Sequence, residues 1–374
     1  MKRLLILPIA LFVLCAEAFA CTSAIVAASR STEGVPLLWK HRDSGFDNTH
    51  IEYVTGNDYA YTAVTKNEEG GGRLVFAGIN EAGLGFISTA TGNMPEATVE
   101  EYKACKRRRM RGGAMWNGLA NCATVDDFEE LLRKTKRARR MKSNMGVGDA
   151  TGAVAYFEIW DTGYRRYDVS ARGEAGFDVR ANFSHARIKE VKGSSERRYN
   201  LIMNEMGAHK GNFSPWDFIR YSRSYNSVKY GNVLKSDSRY YCANHTVPRG
   251  STVGAFVMVC DGDNPRMLVM NGHSVSSMAV PVYVRAKHDI PKCVSGSAMQ
   301  ELSREFKAKA YTKVAKKGRL LNKELVRKVL KIKQPKVDMP KLYPSDIKAF
   351  NARIDRLYVA HEKRVRKVLN KFKN

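Results

Sequence analysis

The sequence lacks several patterns that identify common classes of protein. After residue 20, no apolar run approaches the roughly 20 residues that a helix needs to cross a bilayer. The eight histidines show neither a His-Glu-x-x-His pattern nor paired ligand spacing, and there is no Gly-x-Ser-x-Gly nucleophile elbow. We detect no internal repeats. The chain therefore offers no evidence for a membrane span or a zinc protease, and we predict neither a metal nor a cofactor.

Cysteine is uncommon, and one of the seven cysteines follows a segment typical of an export signal. Lys2 and Arg3 precede an apolar run over residues 4–15, and Ala18-Phe19-Ala20 supplies the small-x-small pattern that signal peptidase accepts. We therefore expect residues 1–20 to be a signal peptide that is cleaved after Ala20. The mature chain would then be soluble and exported, to the periplasm or the extracellular space.

Cleavage after Ala20 would make Cys21 the first residue, with a thiol and a free α-amine on one carbon framework. A thiolate is a nucleophile, and an α-amine with an unperturbed pKa of about 7.7–8.0 accepts a proton near neutral pH. One residue would then be nucleophile and general base together. Two other interpretations stay open. In the first, Cys21 is a lipoprotein anchor, but lipoprotein signals usually carry Leu three residues before the cysteine, where this chain has Ala18. In the second, Cys21 is a structural cysteine.

The other mature cysteines show no recognisable framework. Export permits disulfides, but the spacing fits neither a metal site nor paired bridges. Five remain if Cys21 is catalytic, and Cys260 lies in an apolar, strand-like run typical of a buried thiol. The pairing of the others, Cys105, Cys122, Cys242 and Cys293, stays open.

Acidic residues are scarce relative to basic ones. The 374 residues carry 63 Lys and Arg against 37 Asp and Glu, a net charge of +26. Residues 294–374 hold 23 of the basic residues and only 7 acidic ones, and shorter basic clusters occur at 106–111 and 133–142. Such surfaces attract nucleic acid, anionic lipid or acidic glycans. For an exported chain without the aromatic and basic interleaving of an RNA-binding sheet, we expect no specific nucleic acid partner. We favour a solvated basic surface near an anionic envelope.

Short strands separated by Gly, Asn and Glu clusters dominate the chain up to residue 169. We predict strands at 23–28, 36–39, 51–55, 59–64, 74–78, 84–90, 144–147, 153–160, 164–169, 252–260, 267–270 and 280–284. We predict helices at 113–120, from Thr124 through Leu132, at 195–206 and at 214–223. Groups of strands and groups of helices with hairpin-length loops indicate an α+β fold with mainly antiparallel sheets.

The section from residue 294 onward has a different pattern. Residues 298–315 and 322–332 are predicted to be helical, and prolines at 335, 340 and 344 interrupt the chain. A last helix, capped by Ser345, has one apolar stripe and a basic opposite face. We expect this helix to dock on the body, and the alternative is a helix that lies on a membrane surface.

Several motifs follow one another in a definite order. These are Cys21-Thr22-Ser23, Lys40-His41-Arg42-Asp43, Asn80-Glu81-Ala82-Gly83-Leu84, Gly148-Asp149-Ala150-Thr151-Gly152, Arg180-Ala181-Asn182 and Pro248-Arg249-Gly250. The series resembles the cysteine-type N-terminal nucleophile hydrolases. Within these it is most similar to choloylglycine hydrolases, penicillin V acylases and the acyl-coenzyme A:6-aminopenicillanic acid acyltransferase family. The resemblance covers residues 21 to about 285.

The resemblance implies a fold and four site residues. The fold is a four-layer αββα sandwich, in which two antiparallel sheets lie between helices. By resemblance, Cys21 is the nucleophile, Asp43 holds its α-amine, and Asn182 supplies a side-chain amide to the oxyanion hole. Arg249 matches a late Arg near the nucleophile, where a cation favours the thiolate.

Two positions depart from the family pattern. The family has an Arg where this chain has Lys40, and we expect Arg42, on the same side of a strand, to replace it. Near Ala90, bile-acid enzymes carry an Asn that this chain lacks, which argues against a bile-salt substrate. A backbone N–H can serve there with any side chain.

These observations predict three segments and one activity. Residues 1–20 are the signal peptide, 21–293 the catalytic domain, and 294–374 a basic helical C-terminal extension packed on the body. The activity is hydrolysis of a linear carbon–nitrogen bond, other than a peptide bond, in a small N-acyl amide. The alternatives are an acyltransferase with the same intermediate, a dipeptidase of the same type, and a non-enzymatic lipoprotein anchored through Cys21.

Overall fold

The computed structural model describes residues 20–67, 73–105, 113–135, 139, 141–169, 175–186, 193–236, 240–241, 245–314, 318–335 and 337–372. The predicted signal peptide up to residue 19, the basic cluster at 106–111 and Cys242 lie outside these residues. None of the helices in the described ranges combines the length and the apolar character that crossing a membrane requires.

The described chain alternates between runs of strands and runs of helices. The strands are β1 (Thr22–Val26), β2 (Leu37–Asp43), β3 (His50–Val54), β4 (Tyr61–Asn67), β5 (Arg73–Asn80), β6 (Gly85–Ala90), β7 (Ser143–Gly148), β8 (Val154–Ile159), β9 (Tyr164–Asp168), β10 (Phe177–Arg180), β11 (Asn226–Ser227), β12 (Gly231–Asn232), β13 (Tyr240–Tyr241), β14 (Thr252–Val259), β15 (Arg266–Met270), β16 (Val280–Tyr283), β17 (Tyr311–Val314) and β18 (Gly318–Leu321). The helices are α1 (Val99–Ala104), α2 (Gly113–Asn121), α3 (Val125–Lys134), α4 (Ser194–Gly207), α5 (Pro215–Ser222), α6 (Lys292–Ser295), α7 (Ala298–Ala310), α8 (Lys323–Leu330) and α9 (Pro344–Leu369).

Two large antiparallel sheets form the body. The first has six strands in the order β10-β1-β2-β14-β15-β16, and the second has seven in the order β3-β4-β5-β6-β7-β8-β9. The second sheet is a meander, because each of its strands except the pair β6 and β7 follows its neighbour through a short connection. Strand β1, which directly follows Cys21, lies inside the first sheet between β10 and β2.

The two sheets and two pairs of helices make four layers. Ile25, Leu38 and Phe256 of the first sheet pack against Ile87 and Tyr156 of the second, so an apolar core fills the space between the sheets. The outer face of the first sheet packs on α4 and α5, and that of the second sheet packs on α2 and α3. This arrangement confirms the prediction of an α+β fold with two antiparallel sheets between helices.

Strand β2 carries the most unusual pattern of burial. All seven of its residues are buried, including Lys40, His41, Arg42 and Asp43. We predicted that this strand ends at residue 39, because four titratable side chains in a row normally mark a loop. That prediction is wrong. Strand pairing with both β1 and β14 extends it to Asp43.

Local capping signals located two helices well. Thr124 and Asp127 form the capping box at the start of α3, and Ser214 and Asp217 do the same for α5. The elements that were not predicted include α1, which begins with a capping box at Thr98, and the four-residue strand β10.

The C-terminal section packs on the body and is not entirely helical. The predicted helix at 298–315 ends at Ala310, and the next four residues form β17. Strand β17 pairs with β18, which also pairs with β13. The apolar stripe of α9 is turned inward, since Ile354 and Tyr358 are buried in the apolar cluster that is continuous with the core between the sheets. Helix α9 thus packs on the body. The boundary at residue 293 and the assignment of residues 294–374 as a basic helical extension stay predictions.

Candidate active site

Cys21 lies directly before β1, at the end of the first sheet, and is 5% exposed. Its Sγ is 3.9 Å from the backbone oxygen of Asp43, within reach of a weak S–H hydrogen bond. The adjacent pair in the ladder joins Thr22 to His41, so Cys21 stands beside the last residues of β2. Because β1 is flanked by a strand on each side, the backbone at Cys21 is held in a fixed position.

Asp43 ends β2 with its carboxylate fully buried. Oδ1 accepts a hydrogen bond from Thr252 Oγ1 at 2.8 Å and lies 3.5 Å from His41 Nε2. Oδ2 lies 3.1 Å from Arg249 Nε but accepts no well-aligned hydrogen bond from the described residues. Burial alone would raise the pKa of Asp43, but Arg249, His41 and Arg198 outweigh it and hold the pKa below its usual range. Asp43 is therefore a carboxylate with acceptor capacity left beside Cys21.

Arg249 is held in place from several sides. Its guanidinium donates to Ser194 Oγ at 3.2 Å and to the oxygen of Thr246 at 3.0 Å. Its backbone oxygen accepts a hydrogen bond from His273 Nε2 at 3.1 Å, and this nitrogen lies 3.0 Å from the hydroxyl of Tyr311. Burial lowers the pKa of His273 well below its usual value, so the ring is neutral. Through Tyr311, the C-terminal section supports the loop that carries Arg249.

Asn182 follows β10 on a loop near the same end of the sheet. Its Nδ2 donates to the backbone oxygen of Ala90 at 2.8 Å, and its Oδ1 accepts from Arg198 Nη2 at 2.9 Å. The amide of Asn182 thus bridges the two sheets at Ala90, near the position where bile-acid enzymes carry an Asn that this chain lacks. Ala90 supplies a backbone carbonyl here and no side-chain donor.

A buried amide on the second sheet fixes the loop of Asn182. Asn144 Nδ2 donates to the backbone oxygens of Ala181 and Phe183 at 3.0 and 2.8 Å. Thr89 Oγ1 donates to the same oxygen of Ala181 at 3.1 Å. These bonds tie both sequence neighbours of Asn182 to β6 and β7, so the backbone position from which its side chain extends is fixed.

Lys40 and Arg42 lie on the same face of β2, as predicted, and both stand over the ring of Phe76. Lys40 donates to the backbone oxygen of Ser88, whereas Arg42 Nη1 is buried with no hydrogen-bond partner in the described chain. Burial lowers the pKa of Lys40 to about 8, with Arg42 adding to the effect and Cys21 opposing it. Burial also lowers the pKa of Arg42, against Cys21 and Asp43.

Arg198 is a site residue that the sequence did not reveal. It belongs to α4, and its Nη1 donates to the backbone oxygen of Cys21 and to Thr22 Oγ1. Nη2 holds Asn182. In the sequence Arg198 is one of many basic residues on a predicted helix, and no motif distinguishes it.

The structure therefore brings all five predicted site residues to one end of the first sheet. Cys21 touches Asp43, which pairs with Arg249, and Arg198 connects Cys21 to Asn182. Arg42 stands on β2 beside them. Within the described residues, no group of three or more His, Cys, Asp and Glu side chains has an arrangement that could hold a metal ion.

Neither the comparison with family models nor the comparison with curated proteins gives a match. Among solved structures, this one is similar to a mutant conjugated bile acid hydrolase from Clostridium perfringens, with 12% identity over 73% of this chain and 94% of that chain and a TM-score of 0.42. It is also similar to an N-acylethanolamine-hydrolyzing acid amidase ortholog from Caenorhabditis elegans (18% identity, 64% and 93%, TM-score 0.40) and to a penicillin V acylase from Agrobacterium tumefaciens (14%, 70% and 86%, 0.41).

Proposed function

We propose that this chain is an exported amide hydrolase that cleaves small N-acyl compounds through a thioester on Cys21. One observation carries the proposal. A buried thiol at a sheet end lies within one connected cluster that holds a carboxylate, Asp43, two cations, Arg198 and Arg249, and a side-chain amide, Asn182. This is the set of groups that acyl transfer through a cysteine needs.

Removal of residues 1–20 would release the α-amine of Cys21 next to Asp43. Oδ2 of Asp43 has acceptor capacity for an N–H of that amine, and would keep it turned toward Sγ. The amine then takes the thiol proton, and the thiolate attacks the carbonyl carbon of the amide. Lys40, Arg42 and Arg198 lie close enough to Cys21 to interact with it electrostatically.

The attack forms a carbon–sulfur bond and moves an electron pair onto the carbonyl oxygen. An N–H of Asn182 would stabilise that oxyanion. When the tetrahedral intermediate collapses, the carbon–nitrogen bond breaks and the leaving amine takes the proton from the α-ammonium group. Water then attacks the thioester, gives its proton to the α-amine, and releases the acid while the thiol re-forms.

Two enzymatic alternatives share the first half of this reaction. In an acyltransferase, an amine replaces water as the acceptor of the acyl group, and in a dipeptidase the scissile amide is a peptide bond. In the non-enzymatic alternative, Cys21 carries a lipid anchor and its α-amine is acylated, which removes the base. The intact mass of the exported chain separates the lipid-anchored alternative from the enzymes, because a lipid anchor adds mass at Cys21.

The proposal is tested with a purified chain that begins at Cys21. We expect it to hydrolyse at least one class among bile salts, phenoxyacetyl amides and N-acyl amino acids, and to accumulate an acyl adduct on Cys21 by mass spectrometry. Hydrolysis of dipeptides alone would favour the dipeptidase alternative. Cys21→Ala should abolish both signals and leave folding intact. Cys122→Ala is the matched control, since that thiol is also buried and its pKa is raised by burial to about 12. Equal activity in Cys21→Ala would refute the mechanism.

A chain that retains Ala20 tests the role of the amine separately. Its Cys21 nitrogen is an amide and cannot accept a proton, so hydrolysis should fall by about 10²-fold or more, in the range of lost general base catalysis. Full activity in this extended chain would show that another group is the base.

We also propose that the outer face of α9 lies near an anionic surface. The exposed charged residues of this helix are one acid, Asp346, and six bases, Lys348, Arg353, Arg356, Lys363, Arg364 and Lys367. Because the apolar stripe is turned into the body, attraction through charge is the mode left to this face. The chain should therefore bind vesicles that contain phosphatidylglycerol more tightly than neutral vesicles, and less tightly as salt increases.

A charge-matched pair of variants checks this second proposal. Arg356→Gln with Lys363→Gln should weaken vesicle binding by about tenfold or more, at about 1 kcal/mol for each lost cation. Arg133→Gln with Lys134→Gln removes the same charge from the exposed face of α3 and should change binding much less. Equal loss in both pairs would point to net charge and not to α9.

A further inference from the structure

Arg198 is a buried cation that joins the two groups on which the proposed reaction depends. Its helix, α4, packs on the outer face of the first sheet, and its side chain has no exposed surface. Nη1 donates to the backbone oxygen of Cys21 and, at 2.6 Å, to Thr22 Oγ1. Nη2 donates to Asn182 Oδ1 at 2.9 Å and to Ser195 Oγ at 3.3 Å. One planar group thus holds the nucleophile's backbone and the amide together.

The hydrogen-bond partners of this guanidinium are all uncharged. A buried charge is normally paired with an opposite charge, yet no carboxylate of the described chain forms an ion pair with Arg198. Burial and the nearby Arg249 lower its pKa to about 9, while Asp43 and Cys21 oppose that shift. A cation kept in such surroundings is typical of a functional site.

We propose that Arg198 is a positioning residue that determines which end of the Asn182 amide faces the substrate carbonyl. A guanidinium has donors only, so the amide atom that it holds must be the oxygen. The NH2 end then points away from Arg198, where one N–H donates to the oxygen of Ala90. The second N–H has no partner in the described chain and is left for the oxyanion.

Loss of Arg198 would remove one of the two contacts that set this orientation and leave only the acceptor oxygen of Ala90. The amide could then turn by about 180° about its terminal bond, for which the two orientations are sterically similar. The turned amide would present an oxygen to the developing negative charge and repel it. In the intact site, the bond from Nη1 to Cys21 also sets the distance between the nucleophile and the amide, because the guanidinium is rigid.

This role rests on the proposed function, because it presupposes thioester chemistry at Cys21. The experiment is a double-mutant cycle in the chain that begins at Cys21, with an acyl substrate that this chain hydrolyses. Arg198→Gln should lower kcat by about 10²-fold, as loss of an oxyanion donor does, with a small change in KM. In an Asn182→Ala background the same substitution should cost less than about threefold, since no amide is left to orient. A 10²-fold loss in both backgrounds would overturn the proposal.

Two further variants keep the test decisive if Arg198→Gln does not fold. Arg198→Lys keeps the charge without the planar fork, and its loss of kcat must also vanish in the Asn182→Ala background. Arg223→Lys is the matched control, because Arg223 donates to the backbone oxygens of Ser274 and Val275 and contacts neither Cys21 nor Asn182. It should leave kcat unchanged. A wild-type chain with no hydrolysis and no acyl adduct on Cys21 would overturn both the proposed function and this role.

Discussion

Arg249 Nε lies 3.1 Å from Asp43 Oδ2, and both side chains are almost completely buried. Strand β14 brings them together, because Thr252, which pairs with Asp43 in the ladder, also accepts a hydrogen bond from the backbone N–H of Arg249 through its hydroxyl. The carboxylate that would hold the α-amine is therefore part of the same ion pair that supplies positive charge near the thiol. Changes at either residue should affect stability and catalysis together.

Asp43→Asn tests this relationship. The amide cannot neutralise Arg249, and removing one partner of a buried ion pair typically costs about 3–5 kcal/mol. We expect the free energy of unfolding in urea to fall by about that amount and kcat to fall by about 10²-fold, because the α-amine loses its carboxylate. Asp43→Asn combined with Arg249→Gln should recover part of the stability and none of the activity. Recovery of both would show that the pair has a structural role only.

Asn182→Ala tests the oxyanion donor. The substitution removes the free N–H and the hydrogen bond to the oxygen of Ala90. We expect kcat to fall by about 10²–10³-fold with little change in KM, because the interaction forms mainly in the transition state. Steady-state kinetics measure this, with Asn57→Ala as the control, since Asn57 is an exposed amide that bonds to Asn121. Unchanged kinetics would remove Asn182 from the oxyanion hole.

The family resemblance that the ordered motifs carry predicted which residues meet. Cys21, Asp43, Asn182 and Arg249 were expected at neighbouring strand ends, and the structure places them there. Strands such as β14 were predictable because apolar and β-branched residues continue along their whole length. The fold class follows from many such short strands, each of which contributes an independent local signal.

Three features could not be predicted from local pattern. The burial of Lys40–Asp43 depends on β1 and β14 covering both edges of β2, and four titratable residues in a row contradict the usual signal for a buried strand. Arg198 acquires its role from partners on β1 and on the loop of Asn182, which are distant in sequence. Strand β10 has four residues, too few for alternation to be recognised.

Lys40 should give the pH profile a distinctive alkaline limb. Its pKa is lowered to about 8 by burial, so its positive charge beside Cys21 is lost as the pH rises through about 8. We expect kcat/KM of the wild-type chain to fall above that pH, and the fall to move to higher pH in Lys40→Arg, which stays charged. A profile from pH 6 to 10 measures the limb. Lys66→Arg, at a half-buried Lys that stands over Phe46, should reproduce the wild-type curve. An identical limb in Lys40→Arg would assign it to another group.

His361 should make the fold sensitive to acid. This residue of α9 is buried and donates through Nε2 to the backbone oxygen of Ser276, and burial lowers its pKa to about 4. In the unfolded chain the pKa is about 6.5, so the unfolded state binds more protons between these values and stability is lost as the pH falls from 6.5 toward 4. This one group should reduce the free energy of unfolding by about 2 kcal/mol between pH 7 and pH 4.5. Urea unfolding at the two pH values should show a correspondingly smaller difference in His361→Gln, which keeps a donor and does not titrate. The control is His50→Gln, at an exposed position, which should show the same difference as the wild type. If the difference in free energy of unfolding between the two pH values is as large in His361→Gln as in the wild type, other groups cause the acid sensitivity.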